Sequence, residues 1–492
     1  MKKIVSIVIL TVVCTMGFAQ NEDDALRYSR NLFSGTSRFV SMGGAFGALG
    51  GDFGSISTNP AGLGIYRKSE FVFTPSFSFH NTSSTYGGNT LDDIKYRMNF
   101  ENMGMVMTYC NDNEEGWVSA AFTFGYNRLN DYTRSRIMEG KNDKSSITDY
   151  FAALAYGVTP EELVDDFGPY RFCEGLAWDS YLIDPKPGST NYEYISAFDS
   201  TYGEKQTKSI DTKGGLGEYV IGLGGNYSNR VYIGGSVGIQ NVRYVENVEY
   251  IESDKEDVIN SFNKLIVSQN LKTTGSGFNF KFGTIVRVND WVRVGGAIHT
   301  PTFFNLHDEY SSSMVSSFSD TLHGDGKRIE SPLGTFDYEL TTPFRAIGSL
   351  GFVLGKAGMI GIDYEFVDYT VARLRSSDYM FRIENNTIET AYMAVGNIRA
   401  GGEYRFGPFA LRAGFGYYPS PYKSGQANDG SHTLVYSGGF GIRDDNFYFD
   451  MGLRVLNYEE KYFMYDPSLA PIDPVTIKNF SYSIVSSLGF KF

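Results

Sequence analysis

The sequence predicts an all-β transmembrane barrel, an antiparallel sheet closed on itself through a bilayer. Three observations predict it. The chain opens with an export signal, it is rich in glycine and aromatic residues without any long apolar run, and it ends on an alternating strand that finishes at Phe492.

The export signal comes first. Lys2 and Lys3 precede a short apolar run, Ile4 to Met16, and Gly17-Phe18-Ala19 supplies small residues at positions −3 and −1 of a cleavage site before Gln20. This predicts a signal peptide over residues 1–19, too short to serve as a spanning helix. Val13 before Cys14 argues against a lipoprotein. Without the signal, 41 basic residues face 56 acidic ones, a formal charge of −15. That balance opposes nucleic acid or an anionic surface as partner. Cys110 and Cys173 remain; two cysteines are able to pair after export but do not make a disulfide framework.

Composition comes second. Glycine accounts for 56 of 492 residues and aromatics for 15%, against a usual glycine content of about 7%. No apolar run after the signal approaches 18 residues, so transmembrane helices are not expected.

Alternation comes third. A barrel strand with lipid outside and water inside alternates apolar and polar residues. Phe480, Tyr482, Ile484, Leu488, Phe490 and Phe492 fall on one face of the last segment; Ser481, Ser483, Ser487, Gly489 and Lys491 fall on the other. A terminal Phe on such a strand resembles the signal read by the outer-membrane assembly machinery of Gram-negative bacteria, the expected location. The same pattern recurs around Phe447–Val455, Phe409–Tyr417, Ile398–Tyr404 and Ile360–Phe366. Tight turns near Asn111–Gly116, Ser228–Arg230, Asn289–Asp290, Lys356–Gly358, Gly407–Pro408 and Asp444–Asn446 give six hairpins. One strand at each end makes fourteen, an even number that closes without an open edge.

Between the hairpins lie longer connections, expected outside the cell while the short turns and both termini are periplasmic. The largest spans about 129–215; others are near Asn81–Arg97, Ser253–Thr274, Ser317–Gly334, Ser376–Thr390, Lys423–Ser431 and Asp466–Pro474. Two carry helical signals. Val258, Phe262, Leu265 and Ile266 share one helical face. Ile147 to Gly157, with Phe151 and Leu154, is apolar, and Thr159-Pro160-Glu161-Glu162 is a capped helix start. These small helices either pack on the loops around them or offer Phe262, Leu265, Ile266, Phe151 and Leu154 as a capture surface for an apolar ligand.

Residues 20–68, before the barrel (69–492), do not alternate. Ser41 to Asp52 is glycine-rich, suited to the close backbone approach of a plug in a narrow lumen, and Asn59-Pro60-Ala61-Gly62-Leu63 follows. An Asn-Pro-Ala-Gly-Leu motif after a small-residue stretch and just before strand one resembles the FadL/TodX family. The Ser-Met-Gly-Gly-Ala-Phe wording at residue 41 is similar to a Bacteroidetes branch, some of whose members are labelled haemin receptors. The resemblance implies a fourteen-stranded barrel with an N-terminal hatch, transport of long-chain fatty acids or other hydrophobic compounds, and a gating role for Asn59 to Leu63. The longest loop here lies between strands three and four, so the family's outer-loop ligand residues are not carried over.

Enzyme signatures fail. Gly351 to Ala357 has the wrong spacing for a phosphate loop, and neither Gly-x-Ser-x-Gly nor His-Glu-x-x-His occurs. His80, His299, His307, His323 and His432 show no zinc-ligand spacing, so no cofactor or metal is expected. The predicted lumen face interleaves acids and bases, including Arg293, Asp363, Glu365, Arg399, Glu403, Arg405, Arg412, Asp450 and Arg454. These either pair with one another or present an arginine to a ligand carboxylate. The expectation is a monomeric, passive outer-membrane transporter surrounded by lipid and taking a hydrophobic small molecule, most plausibly a fatty acid. The alternatives are a haemin or aromatic-compound receptor and an adhesin-like surface protein.

Overall fold

Nineteen hydrogen-bonded segments form one closed antiparallel sheet of fourteen staves. The computed structural model describes residues 21–111, 115–166, 168–198, 202–254, 259, 261–319, 326 and 328–492. The expected signal peptide, Val258 and His323 lie outside the described residues. The first six staves are β1 (Glu70–Tyr86), β2 (Asn89–Cys110), β3 (Trp117–Asp131, continued by Arg134–Lys141), β4 (Lys205–Tyr227), β5 (Val231–Ser253) and β6 (Phe262–Arg287). Three interrupted staves follow: β7 (Val292–His299 and Phe303–Phe318), β8 (Ile329–Glu330, Gly334–Thr341 and Arg345–Leu354) and β9 (Gly358–Asp368 and Arg373–Arg375). The sheet continues with β10 (Ala394–Phe406), β11 (Phe409–Tyr418), β12 (Thr433–Arg443), β13 (Phe447–Tyr462) and β14 (Val475–Lys491). β14 pairs with β1 from Glu70↔Lys491 to Thr85↔Thr476, which closes the ring. All six expected short turns lie at one end.

The outward face carries an apolar belt. Phe77, Phe280, Leu350, Ile362, Leu411 and Ile484 are exposed on six different staves. A continuous band of this kind is the surface a bilayer covers. Among the described residues no helix is long and apolar enough to cross a membrane; the strands make the crossing.

Three expectations are corrected. The connection expected at Asn81–Arg97 is a two-residue turn, Gly87-Gly88, between strands that run on past the belt. Both glycines have positive φ (54° and 82°), as a tight hairpin requires. The last residues of β1 and the first of β2, 81–85 and 89–93, are largely polar on both faces, so alternation weakens at the turn, although the outward Ile94 and Tyr96 carry it past the expected end of the strand. The longest connection shrinks from 129–215 to 142–204 for the same reason. The helix expected over Val258–Ile266 is, where described, the start of β6. The register with β7 skips Asn263, pairing Phe318 with Phe262 and Ser317 with Lys264. This extra residue turns Phe262 and Leu265 to one face at a spacing of three, which mimics a helix.

The long connection folds as a cap. Helix α3 (Ile147–Leu154) is capped by Ser146, and α4 (Pro160–Leu163) by Thr159 with Glu162 reaching back, as the sequence predicted. Helix α5 (Glu174–Asp179) and a hairpin, Ile183–Pro185 with Tyr194–Ser196, complete it. Phe151, Leu163, Leu176 and Phe198 pack with Phe262 and Leu265 in one buried cluster. The Glu252 carboxylate on β5 accepts from Ile147 N (2.9 Å) and Gln206 Nε2 (2.9 Å), tying α3 to the barrel rim. Cys173 is buried in this cap, Cys110 is exposed at the short-turn end, and both are free thiols.

Candidate functional site

The segment before β1 fills the lumen. Helix α1 (Glu22–Ser29) lies uppermost, with Ala25, Leu26 and Tyr28 buried. Below it come a short helix, α2 (Ser37–Ser41), and two 3₁₀ turns, Phe53–Ser57 and Pro60–Ile65. Asn59 caps the second turn: its Oδ1 accepts from Ala61 N (3.0 Å). Its Nδ2 donates to Gly47 O (2.7 Å) within the plug and to Thr284 O (3.2 Å) on the wall. Pro60 occupies the first position of the turn, where its missing N–H is harmless. Gly62 O accepts from Gly51 N (3.1 Å), and Ala61 and Leu63 are fully buried.

The wall meets this plug with glycine. A methyl group at Gly283, Gly234, Gly361, Gly401 or Gly414 would overlap Asn59, Pro60, Ala45, Met42 or Gly43 respectively. The high glycine content of the inward faces thus has a local cause, since plug backbone occupies the space of the missing side chains.

The lumen charges add ionic fastening. Glu403 accepts from Arg38 Nε of the plug (2.8 Å), Arg412 Nε (2.7 Å) and Arg405 Nε (2.6 Å). Arg412 also donates to Asp450 (2.7 Å), and Asp363 accepts from Gly47 N (3.2 Å). Arg454 donates to Phe33 O (2.7 Å) and Arg293 to Leu49 O (3.1 Å). Glu403 and Arg454 therefore hold plug to wall, and Arg405 and Arg412 brace Glu403 from within the wall. Arg399 differs. It lies 3.7 Å from Asp363 and 3.9 Å from Glu365, and its Nε and Nη2 make no hydrogen bond among the described residues.

One plug residue borders three separate cavities. A vestibule of about 900 Å³ lies between the uppermost plug helix, the cap and the outer wall, bordered by Phe151, Tyr150, Tyr244, Arg136, Lys208 and Glu460 among others. A polar pocket of about 70 Å³ lies beneath, with Arg399, Arg345, Lys281 and His299 on its walls. A third, of about 30 Å³, sits against β1–β3 beside His80, Asp131 and Arg134. Leu32, in the irregular stretch between the two plug helices, borders all three. Of the residues expected to catch an apolar ligand, Phe151 borders the vestibule; Leu154, Phe262 and Leu265 belong to the cap core, and Ile266 is half-buried on β6.

The third cavity lies behind an interruption in the wall. The β2–β3 ladder runs from Cys110↔Ser119 only as far as Asn102↔Asn127. Above it β2 continues to Asn89 with backbone pairing to β1, and β3 bends at Tyr132-Thr133 and continues paired to β4. Tyr132 turns inward against Tyr28 of the plug and Tyr244 of β5, with ring centroids 6.0 and 5.7 Å away. Side chains bridge the gap instead. Ser135 donates to Asp93 (2.6 Å), Lys95 pairs with Asp211, Arg97 donates to Gly214 O (2.9 Å), and Asn99 donates to Asp131 (2.6 Å). Sequence reasoning missed these residues because it assigned 81–97 to a loop. The alternation of Asp93 to Phe100 was the available signal.

Among the described residues, His80 is the one histidine placed beside a serine and an acid. Its Nδ1 is 2.9 Å from Ser481 Oγ, and Asp131 is 3.9 Å from Nε2. An Arg134 N–H faces Nε2 at 3.2 Å. Arginine only donates, so Nε2 accepts and Nδ1 carries the proton towards Ser481. In that state the ring does not withdraw the serine proton, and no activated nucleophile results. His299 donates to Thr58 O of the plug (2.9 Å), while His307 and His432 lie at the outer end. No cluster of three or more metal-ligating residues occurs among the described residues.

No protein-family model matches this sequence, and no curated relative matches it. Solved structures do. The P. putida toluene transporter TodX superposes with a TM-score of 0.54 at 12% identity, over 94% of this chain and 99% of that one. The fold is that of the FadL/TodX barrels. A Pseudomonas aeruginosa FadL homologue gives a TM-score of 0.53 at 11% identity, over 94% of this chain and 100% of that one. At such identity the likeness to FadL-type barrels concerns architecture.

Proposed function

We propose that this chain is a passive outer-membrane transporter for hydrophobic or amphipathic small molecules, with long-chain fatty acids as the leading substrate class. The observation that carries this reading is Leu32, which borders a large vestibule, a polar pocket and a cavity behind an interrupted wall. A ligand enters the vestibule beneath the cap, burying apolar surface at about 0.8 kcal/mol per CH₂. It leaves sideways between β2 and β3. The glycine seats and the Glu403 cluster support a fixed plug over a moving one, so Asn59 to Leu63 act as anchors more than as a gate. The unsatisfied N–H groups of Arg399 support a carboxylate-terminated ligand. The fold shared with the toluene transporter TodX supports the same class.

A second reading, an aromatic or haemin-like ligand, draws support from the tyrosines on the vestibule wall. The test is direct binding by the purified chain of oleate, toluene and haemin, each followed by native mass spectrometry and displacement. Oleate bound with micromolar or tighter affinity supports the first reading, and haemin bound in preference supports the second. Binding of none of the three sinks both.

A further inference from the structure

The wall interruption has two chemically opposite borders. From Asp93 to Phe100, β2 alternates without exception. Ile94, Tyr96, Met98 and Phe100 point outward and are 50–78% exposed. Asp93, Lys95, Arg97 and Asn99 point inward and are the residues that bridge to β3 and β4. The gap is thus a polar seam set in an apolar wall. A hydrocarbon crossing it would separate these pairs and return nothing to them, leaving half-buried polar groups without their partners. A ligand whose own polar atoms replace the bridges avoids that cost. The seam also presents both signs of charge face to face, Lys95 and Arg97 on β2 against Asp211 and Asp131 across the gap. A headgroup carrying one cationic and one anionic group matches it on both sides.

We propose that the β2–β3 seam is a headgroup groove for a zwitterionic, single-chain membrane lipid. The phosphate sits at Lys95 and Arg97, the cationic group at Asp131 and Asp211, and the acyl chain stays in the bilayer along Ile94 to Phe100. The proposal rests on reading this gap as the route and adds the class of ligand that passes it.

The test uses the full chain in an uncharged maltoside detergent, with lysophosphatidylcholine and oleate as probes in equilibrium dialysis. The wild type should bind lysophosphatidylcholine at least tenfold more tightly than oleate. K95M/R97M should lose at least tenfold for lysophosphatidylcholine and under twofold for oleate, and the exchanged pair K95D/D211K, which keeps the ion pair but reverses its sense, should also lose at least tenfold for lysophosphatidylcholine. Preference for oleate, or a K95M/R97M variant that binds lysophosphatidylcholine unchanged, overturns the proposal while the transporter reading stands. Failure of the wild type to bind either probe sinks the transporter reading itself. Should K95M/R97M not fold, judged by heat-modifiable migration, a benzophenone-tailed lysophosphatidylcholine on the wild type decides. Labelling at Met98 or Phe100 upholds the groove, and labelling confined to the vestibule overturns it.

Discussion

Gly283 on β6 lies directly against the carboxamide of Asn59, so close that a methyl group on the wall would overlap Oδ1 of the plug. The substitution Gly283→Val should therefore force plug and wall apart and destabilise the barrel by about 1–3 kcal/mol, the usual penalty for overpacking. The temperature of heat-modifiable migration should fall. Gly296, whose Cβ would meet nothing within 4 Å, serves as the control and should tolerate alanine.

Asn59→Ala removes a turn cap and the link from the plug to Thr284. The expected loss is about 2 kcal/mol. Because the residue anchors, uptake at low temperature should stay within twofold of wild type while thermal stability falls. Loss of uptake with unchanged stability would return the motif to a gating role.

Glu403→Gln leaves Arg38 and Arg412 buried with half their partners. Breaking a buried ionic cluster on one side costs about 3–5 kcal/mol. Pairing the change with Arg38→Met should recover part of that loss, measured as a double-mutant cycle on thermal stability.

Leu32→Trp should block passage among the three cavities that Leu32 borders. Ligand binding in the vestibule should persist, and transfer into the membrane should slow by about tenfold, read as the split between equilibrium binding and uptake rate. Leu32→Ala should not slow it.

The cap carries a pH dependence of its own. Burial at the start of α5 pushes the Glu174 carboxyl up to about 7 from its ordinary 4.5. A carboxyl raised on folding favours the protonated native form. Its stabilising contribution is complete below about pH 4.5 and is lost as pH rises through about 7, at most about 3 kcal/mol from the size of the shift. Protection factors in 147–179, which remove the intrinsic base-catalysed rise of hydrogen exchange, should fall between pH 5 and 8 in the wild type, and Glu174→Gln should flatten that fall.

How much of this was legible in the sequence depended on which face lipid touches. Where one face is greasy, as from Phe480 to Phe492, alternation gave strand, register and orientation. Six turns marked by glycine, proline or asparagine then gave the count of fourteen. Towards the outer rim both faces of β1, β3 and β4 are largely polar, so these strands ran longer than alternation indicated, whereas β2 keeps its alternation through Ile94, Tyr96 and Met98. The bulge at Asn263 gave a strand the spacing of a helix. The Asn59–Leu63 motif stood out as residues, but its partners Gly283, Gly234 and Gly361 read only as generic barrel glycine until the plug was seen against them. Leu32 carries no sequence signal, because its importance comes solely from the cavities that it borders.

The central claim is that ligand leaves through the wall between β2 and β3 while the plug stays in place. The most direct measurement joins residues 99 and 131, across the gap, with a reducible bis-maleimide bridge after Asn99→Cys and Asp131→Cys, in a Cys110→Ser/Cys173→Ala background. Transfer of labelled oleate into proteoliposomes is then followed before and after reduction. The account predicts at least tenfold slower transfer in the bridged form, recovery on reduction, and equilibrium binding unchanged throughout. Transfer at the wild-type rate with the bridge intact would contradict it.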